Sequence, residues 1–317
     1  MAKVNLNFDA SGFVVNTLPS YVKENRDLIL KNFALVGTAT RKRISLQTGV
    51  KGSAELNYLN ITPTLQSGAA CGFSAAGSVA LTQKTVSTAI IKVDLDICPK
   101  TLIGKWPEYL VRIGANAENV PFEEYIVRGL TDEVNKKIEK LIWQGDHTQS
   151  SDADIKWIDG FIYQFDNDAA VVDVAIAHGT AIYNAIKAVY QGMSEEALDR
   201  GGEIYISPAN YRAFLLALVD KNYYHYAGPV EAAPEEFFFP GTDVKVVKTP
   251  GLAGVDSKIV GTFPANLVYA CDLEGDTEDV KVKYDDIAEL VKVKLQWNSG
   301  VSYYFGEHVT LGTIAAS

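Results

Sequence analysis

Apolar residues recur along this chain at two spacings, and each spacing predicts a different element. From Pro121 to Gln144 the row Phe122, Ile126, Leu130, Val134, Ile138, Ile142 advances four residues at a time, which lines one face of an α-helix. Pro121 suits a first helical turn and Gly145 an exit. Glu124–Arg128, Asp132–Lys136 and Glu133–Lys137 place acid before base on the wet side. A helix over residues 121–144 would be about 36 Å long, enough to cross a domain as a beam. A second amphipathic helix is predicted over residues 18–36, capped by Ser20, with Val22, Leu28, Ile29 and Phe33 on its apolar side. Period two appears where Ile91, Val93, Leu95 and Ile97 alternate with Lys92, Asp94, Asp96 and Cys98, and again from Leu290 to Trp297.

Between these elements lies a stretch with no charge at all, the 28 residues from Leu56 to Gln83. Leu56, Tyr58, Leu59 and Ile61 suggest a strand on its near side. The segment Ser67 to Gly77 is small and flexible, and residues 91–98 form a strand beyond it. The expectation is a long hairpin arm with a Gly/Ala/Ser tip and residues 91–98 as its far strand. A two-stranded ribbon has no core of its own, so the arm must lie against something. Its length points to a neighbouring copy.

Beyond the beam the pattern becomes α/β. A helix is expected over 176–190, a strand at Glu203 to Ile206, and a helix over 209–219 opened by Ser207 and Pro208. Strands are expected at 244–248, 259–263, 267–271, 280–284, 290–297, 301–305 and 308–311, with Asn298-Ser299-Gly300 as a turn between two of them. No internal repeat is visible.

Composition narrows the class. In 317 residues and 34.5 kDa, 47% are hydrophobic and mean hydropathy is +0.01, so a sizeable core can form and wholesale disorder is excluded. Net charge is −10; it is +4 over residues 1–50, +1 over 51–120, −6 over 121–170 and −9 over the rest. A basic amino-terminal segment therefore precedes an acidic body, and Arg41, Lys42 and Arg43 are its densest point. Such a run is either a solvated loop or an arm facing nucleic acid. Three cysteines far apart make neither a disulfide framework nor a zinc finger. No secretory signal or membrane span is read, which implies a soluble protein of a reducing compartment.

Catalytic chemistry finds little support. The four histidines are scattered and lack metal-pair spacing. Asp146, Asp152 and Asp154 near His147 read as an acidic loop, because Trp157 stands where a calcium loop needs Gly. Asp272, Glu274, Asp276, Glu278 and Asp279 read likewise as a charged loop. Gly72-Phe73-Ser74-Ala75-Ala76 lacks the second Gly of a nucleophile elbow. Cys71 and Cys98 are small apolar residues of the hairpin. The aromatic runs Tyr223-Tyr224-His225-Tyr226 and Phe237-Phe238-Phe239 are either a packed edge or a contact patch. The expectation is no enzyme, no cofactor and no metal.

Several stretches resemble one family. Glu55 to Leu59 followed by Pro63 to Gly72, Lys92 to Lys100, Leu141-Ile-Trp-Gln-Gly-Asp146 with Asp159-Gly-Phe-Ile162, and Ile206 to Tyr211 look like the hairpin, beam exit and inserted domain of HK97-type major capsid proteins of tailed bacteriophages. The resemblance implies an α+β HK97-like capsid fold. Its parts would be an N-terminal arm (1–50), an extended hairpin loop (51–102) and a peripheral domain with a spine helix (103–165). An inserted α/β axial domain (166–264) and a closing β segment of the peripheral domain (265–317) would complete it. It also implies self-assembly into an icosahedral shell of hexamers and pentamers around double-stranded DNA bound without sequence preference. Arg41, Lys42 and Arg43 would face the lumen, and Cys71, Gly72 and Phe73 would make the intersubunit hairpin contact. Scaffold, portal or decoration proteins would be further partners. Any scaffold would be a separate protein or dispensable. The site would be the virion capsid, assembled in the host cytoplasm. Some members cross-link subunits through Lys and Asn; Lys51, Lys84 and Asn298 are the residues here, without a motif that assigns the reaction. An encapsulin-type compartment shell and a soluble α/β enzyme are the alternatives.

Overall fold

The computed structural model describes residues 39–66, 76–98, 122–149, 152–221, 236–272, 279–285 and 290–316. The helix expected over 18–36, the hairpin tip with Cys71, Gly72 and Phe73, the tyrosine run at 223–226 and most of the acidic run after Asp272 lie outside them. The chain divides into two compact units. The smaller holds residues 1–36, 90–134 and 276–297, and the larger holds 37–89, 135–275 and 298–317.

The larger unit is built on a six-stranded mixed sheet. Its order is β5 (Val172–Ile176), β13 (Thr310–Ile314), β9 (Lys258–Thr262), β6 (Glu203–Ile206), β8 (Lys245–Lys248) and β7 (Glu236–Phe238). Every residue of β6 is buried, because both faces of the sheet are covered. Helices α3 (Ile182–Gly192) and α5 (Pro208–Asp220) lay Ile186, Val189, Phe214 and Leu218 on one face, against Ile204, Ile206, Val246 and Ile259. The start of α5 follows from Ser207, whose hydroxyl accepts the Asn210 N–H, with Pro208 in the first turn. The sequence did not predict β5 ahead of α3. Val172, Val174 and Ile176 alternate weakly, and the strand is secured by parallel pairing with the distant β13.

The beam forms as expected: α1 spans Phe122–Gln144. Its last turns belong to the larger unit, where Ile138, Leu141, Ile142 and Trp143 are buried. Trp143 packs edge-on to Phe161 of α2 (Phe161–Asp166), centroids 5.3 Å apart, and lies 5.3 Å from the Tyr205 ring on the opposite face of β6. The short helix α4 (Glu195–Asp199) is capped by the Ser194 side chain.

A second set of strands corrects one expectation. Asn298-Ser299-Gly300 is not a turn, because β12 runs unbroken from Leu290 to Tyr303. In the larger unit its second half pairs antiparallel with β10 (Leu267–Cys271), whose other edge carries parallel β1 (Ser45–Gln47). Asn298 is buried and donates to the Val50 carbonyl at 3.1 Å, and Ser299 pairs with Cys271. Gly300 is required by approach rather than by turning: a Cβ there would collide with the Ser87 carbonyl. In the smaller unit the first half pairs with β11 (Asp279–Asp285), and β12 also pairs with β4 (Ala89–Ile97). Val291, Val293 and Leu295 are buried between exposed Lys292 and Lys294, as period two requires.

The hairpin exists with a different partner. Strand β2 (Ser53–Pro63) pairs with β3 (Gly77–Ser87) in one continuous register, Ser53 opposite Ser87 and Pro63 opposite Gly77. The expected far strand at 91–98 is instead β4, a sheet strand. Lys92, Asp94 and Asp96 of β4 are exposed, whereas β3 carries one charge, Lys84 near the root, and is otherwise uncharged.

Candidate assembly surfaces

The root of the hairpin is tied to the larger unit by one face of the ribbon. Alternation sends Leu56 and Val86 inward, where they join Val50, Val268 and Ala270 in a buried cluster. Tyr58 rests on Phe305, centroids 4.1 Å apart. Thr88 closes the root: its N–H donates to the Gly52 carbonyl at 2.7 Å, and its hydroxyl accepts the Gly52 N–H at 3.1 Å. Gly52 has φ +89°, a left-handed conformation open to glycine.

Lys84 makes a polar latch beside this cluster. Its ammonium lies 3.1 Å from the Tyr303 ring centroid and 2.8 Å from Asp168 Oδ2. Asp168 also accepts from the Tyr303 hydroxyl at 2.5 Å and from the Ala170 N–H at 3.0 Å. Burial alone would raise the Asp168 pKa, but these donors outweigh it and hold the carboxyl down to about 2. Burial lowers the Lys84 pKa against the pull of Asp168. Burial and the carboxylate together keep the Tyr303 phenol protonated.

The basic run is divided by its surroundings. Arg41 is 5% exposed, donates to Asn135 Oδ1 at 2.9 Å, and lies over the Tyr269 ring. Arg43 bridges Glu203 at 3.0 Å and Glu236, which also takes Lys245 at 3.2 Å. Burial works against the Arg43 charge, yet the two carboxylates raise its pKa. Hydrogen bonding to Arg43 lowers that of Glu236. Of the three expected lumenal residues, only Lys42 is exposed. Sequence reading missed this because the partners are about 94 to 193 residues away.

The remaining candidates have structural partners. Thr40 donates through N–H and hydroxyl to the buried Glu139, and Trp143 Nε1 donates to the Thr40 hydroxyl at 2.8 Å. Around the beam exit, His147 Nδ1 lies 2.6 Å from Asp159, Lys140 is 2.7 Å from Asp152, and Lys137 is 3.0 Å from Asp154. Among the described residues no three His, Cys, Asp or Glu side chains gather as a metal cluster. No described helix is long and apolar enough to cross a membrane. Phe237 and Phe239 are core residues beside Phe214, while Phe238 is half exposed on the edge strand β7. Lys51 is exposed and Asn298 buried.

No protein-family model matches the chain, and no curated protein sequence matches it. Solved structures do. A structure of Gordonia phage Cozz is similar with TM-score 0.59 and 10% identity, over 88% of this chain and 87% of the other. The satellite phage P4 procapsid, including its size-determination protein, gives TM-score 0.57 and 12% identity, over 93% and 91%. The capsid of an empty GTA particle gives 0.56 and 12%, over 88% and 90%. The chain has the fold of phage capsid subunits, the α+β HK97-type architecture that its sequence resembles.

Proposed function

We propose that this chain is the major capsid protein of a tailed double-stranded DNA bacteriophage, self-assembling through hexamers and pentamers into an icosahedral shell. One observation carries the reading: the match to capsid structures extends over about nine-tenths of both chains. The ribbon supports it, since a two-stranded arm that is uncharged from Leu56 to Gln83 has no core of its own and needs a surface to cover it. On this reading residues 1–50 are the arm and 51–102 the hairpin region. Residues 103–165 and 265–317 form the peripheral domain, and 166–264 the axial domain. The hairpin of one subunit lies on the next, with Cys71, Gly72 and Phe73 in the contact, and many modest interfaces close a symmetric surface.

Packaged DNA is met through phosphate charge, indifferent to sequence. Lys42 supplies part of that contact together with Lys3, Lys23, Arg26 and Lys31 of the amino-terminal segment. Arg41 and Arg43 support the contact by holding the base of the arm. Scaffold, portal and decoration proteins are the further partners, in a virion capsid assembled in the host cytoplasm. The role is structural, without catalysis.

Purified protein examined by size-exclusion chromatography and negative-stain microscopy tests this. Capsomers or closed shells are the expected result, and a monomer at all concentrations refutes it. Deleting residues 64–82 leaves a folded subunit that fails to build stable shells. Normal assembly of that variant would show that the ribbon has another job.

A further inference from the structure

The ribbon changes its apolar side partway along its length. At the root, the face carrying Leu56, Tyr58, Lys84 and Val86 packs on the larger unit, and the opposite face carries Glu55, Asn57, Gln83 and Thr85. Farther out the assignment inverts. Thr62 and Ser78, a cross-strand pair, continue the root's apolar face. Leu59 with Leu81 and Ile61 with Val79, two more direct pairs, continue its polar face. The pairing runs without a bulge from Ser53–Ser87 to Pro63–Gly77, so no slip of register produces the inversion. The four distal residues are 56, 62, 56 and 69% exposed, and together present about 400 Å² of surface, the size of the largest and often functional apolar patch on a monomer.

We infer that the hairpin has two docking faces: one holds its own subunit at the root, and the opposite one, made by Leu59, Ile61, Val79 and Leu81, is seated on a second copy of this chain. The inference rests on the proposed shell function and names the surface through which the arm acts. A lipid surface is a poor occupant, since no Lys or Arg lies between Leu56 and Gln83 to meet headgroups. The core of an interface between like chains is apolar and depleted of charge, which describes this patch. Its area is about half the 800 Å² that a stable pair buries on each partner. Contact through this face alone does not hold a dimer, and it serves as one of several contacts around a closed lattice.

Charge placed on adjacent residues of opposite faces tests the assignment. Val79→Glu and Leu81→Glu are compared with Ser78→Glu and Thr62→Glu in the full-length chain. Circular dichroism and melting establish that each variant is folded, and light scattering with negative-stain microscopy follows assembly against concentration. Val79→Glu and Leu81→Glu are expected to raise the assembly threshold at least about tenfold, through the penalty of burying an unpaired carboxylate. Ser78→Glu and Thr62→Glu are expected to assemble as the parent does. Equal impairment by both pairs, or unimpaired assembly of Val79→Glu, overturns the face assignment while the shell function stands. In the second case the patch serves another occupant or none. A parent chain that never assembles removes the shell function, and the inference with it.

Discussion

The Lys84–Asp168–Tyr303 latch fixes the root of the hairpin, and its strength can be worked from its geometry. Asp168 accepts from Lys84, from the Tyr303 hydroxyl and from the Ala170 N–H. The fall of its pKa from 3.8 to about 2 corresponds to about 2.4 kcal/mol. The two side chains keep 28% and 29% exposure, so solvent screening reduces the figure to ~1–2 kcal/mol. A depressed carboxyl pKa contributes stability that is complete above the unfolded value and disappears as pH falls through the folded one. Asp168→Asn should therefore cost ~1–2 kcal/mol from neutral pH down to about 4, and the gap to the parent should close between about 4 and 2. Urea unfolding followed by tryptophan fluorescence reads this on subunits kept below the assembly concentration. A double-mutant cycle with Lys84→Met isolates the pair. A gap that persists unchanged near pH 2, or a coupling energy within error of zero, would refute the latch as the origin of the shift.

Three further substitutions probe different links. Gly300→Ala drives a methyl group into the Ser87 carbonyl and should destabilise the subunit by ~1–3 kcal/mol; a melting temperature equal to that of the parent would show that the root yields without cost. Arg43→Gln leaves the buried Glu203 without its cation and should cost ~1–3 kcal/mol, whereas Lys42→Gln, on an exposed side chain, should stay within about 0.5 kcal/mol. In assembled particles Lys42→Gln should weaken DNA retention at raised salt, and unchanged retention would remove Lys42 from the nucleic-acid contact.

Much of this architecture was written in local pattern. The four-residue apolar row drew the beam almost to the residue, because one face of a helix repeats at that spacing whatever it packs against. Ser207-Pro208 marked the start of α5, because capping is a contact between near neighbours. The neutral stretch from Leu56 to Gln83 announced the ribbon. What the chain could not declare locally was partnership. Residues 91–98 were the expected return strand, and the ladder instead runs along residues 77–87, since hydrogen-bond pairing depends on which strand arrives and not on its own alternation. Asn298-Ser299-Gly300 has turn chemistry in isolation, yet neighbours some 210 to 250 residues earlier need its small size and its amide inside an unbroken strand. Arg41 and Arg43 likewise read as an open basic run until Asn135, Glu203 and Glu236 folded onto them. Elements came from short-range periodicity; which faces meet, and which charges remain exposed, came from contacts that exist only after the chain has closed on itself.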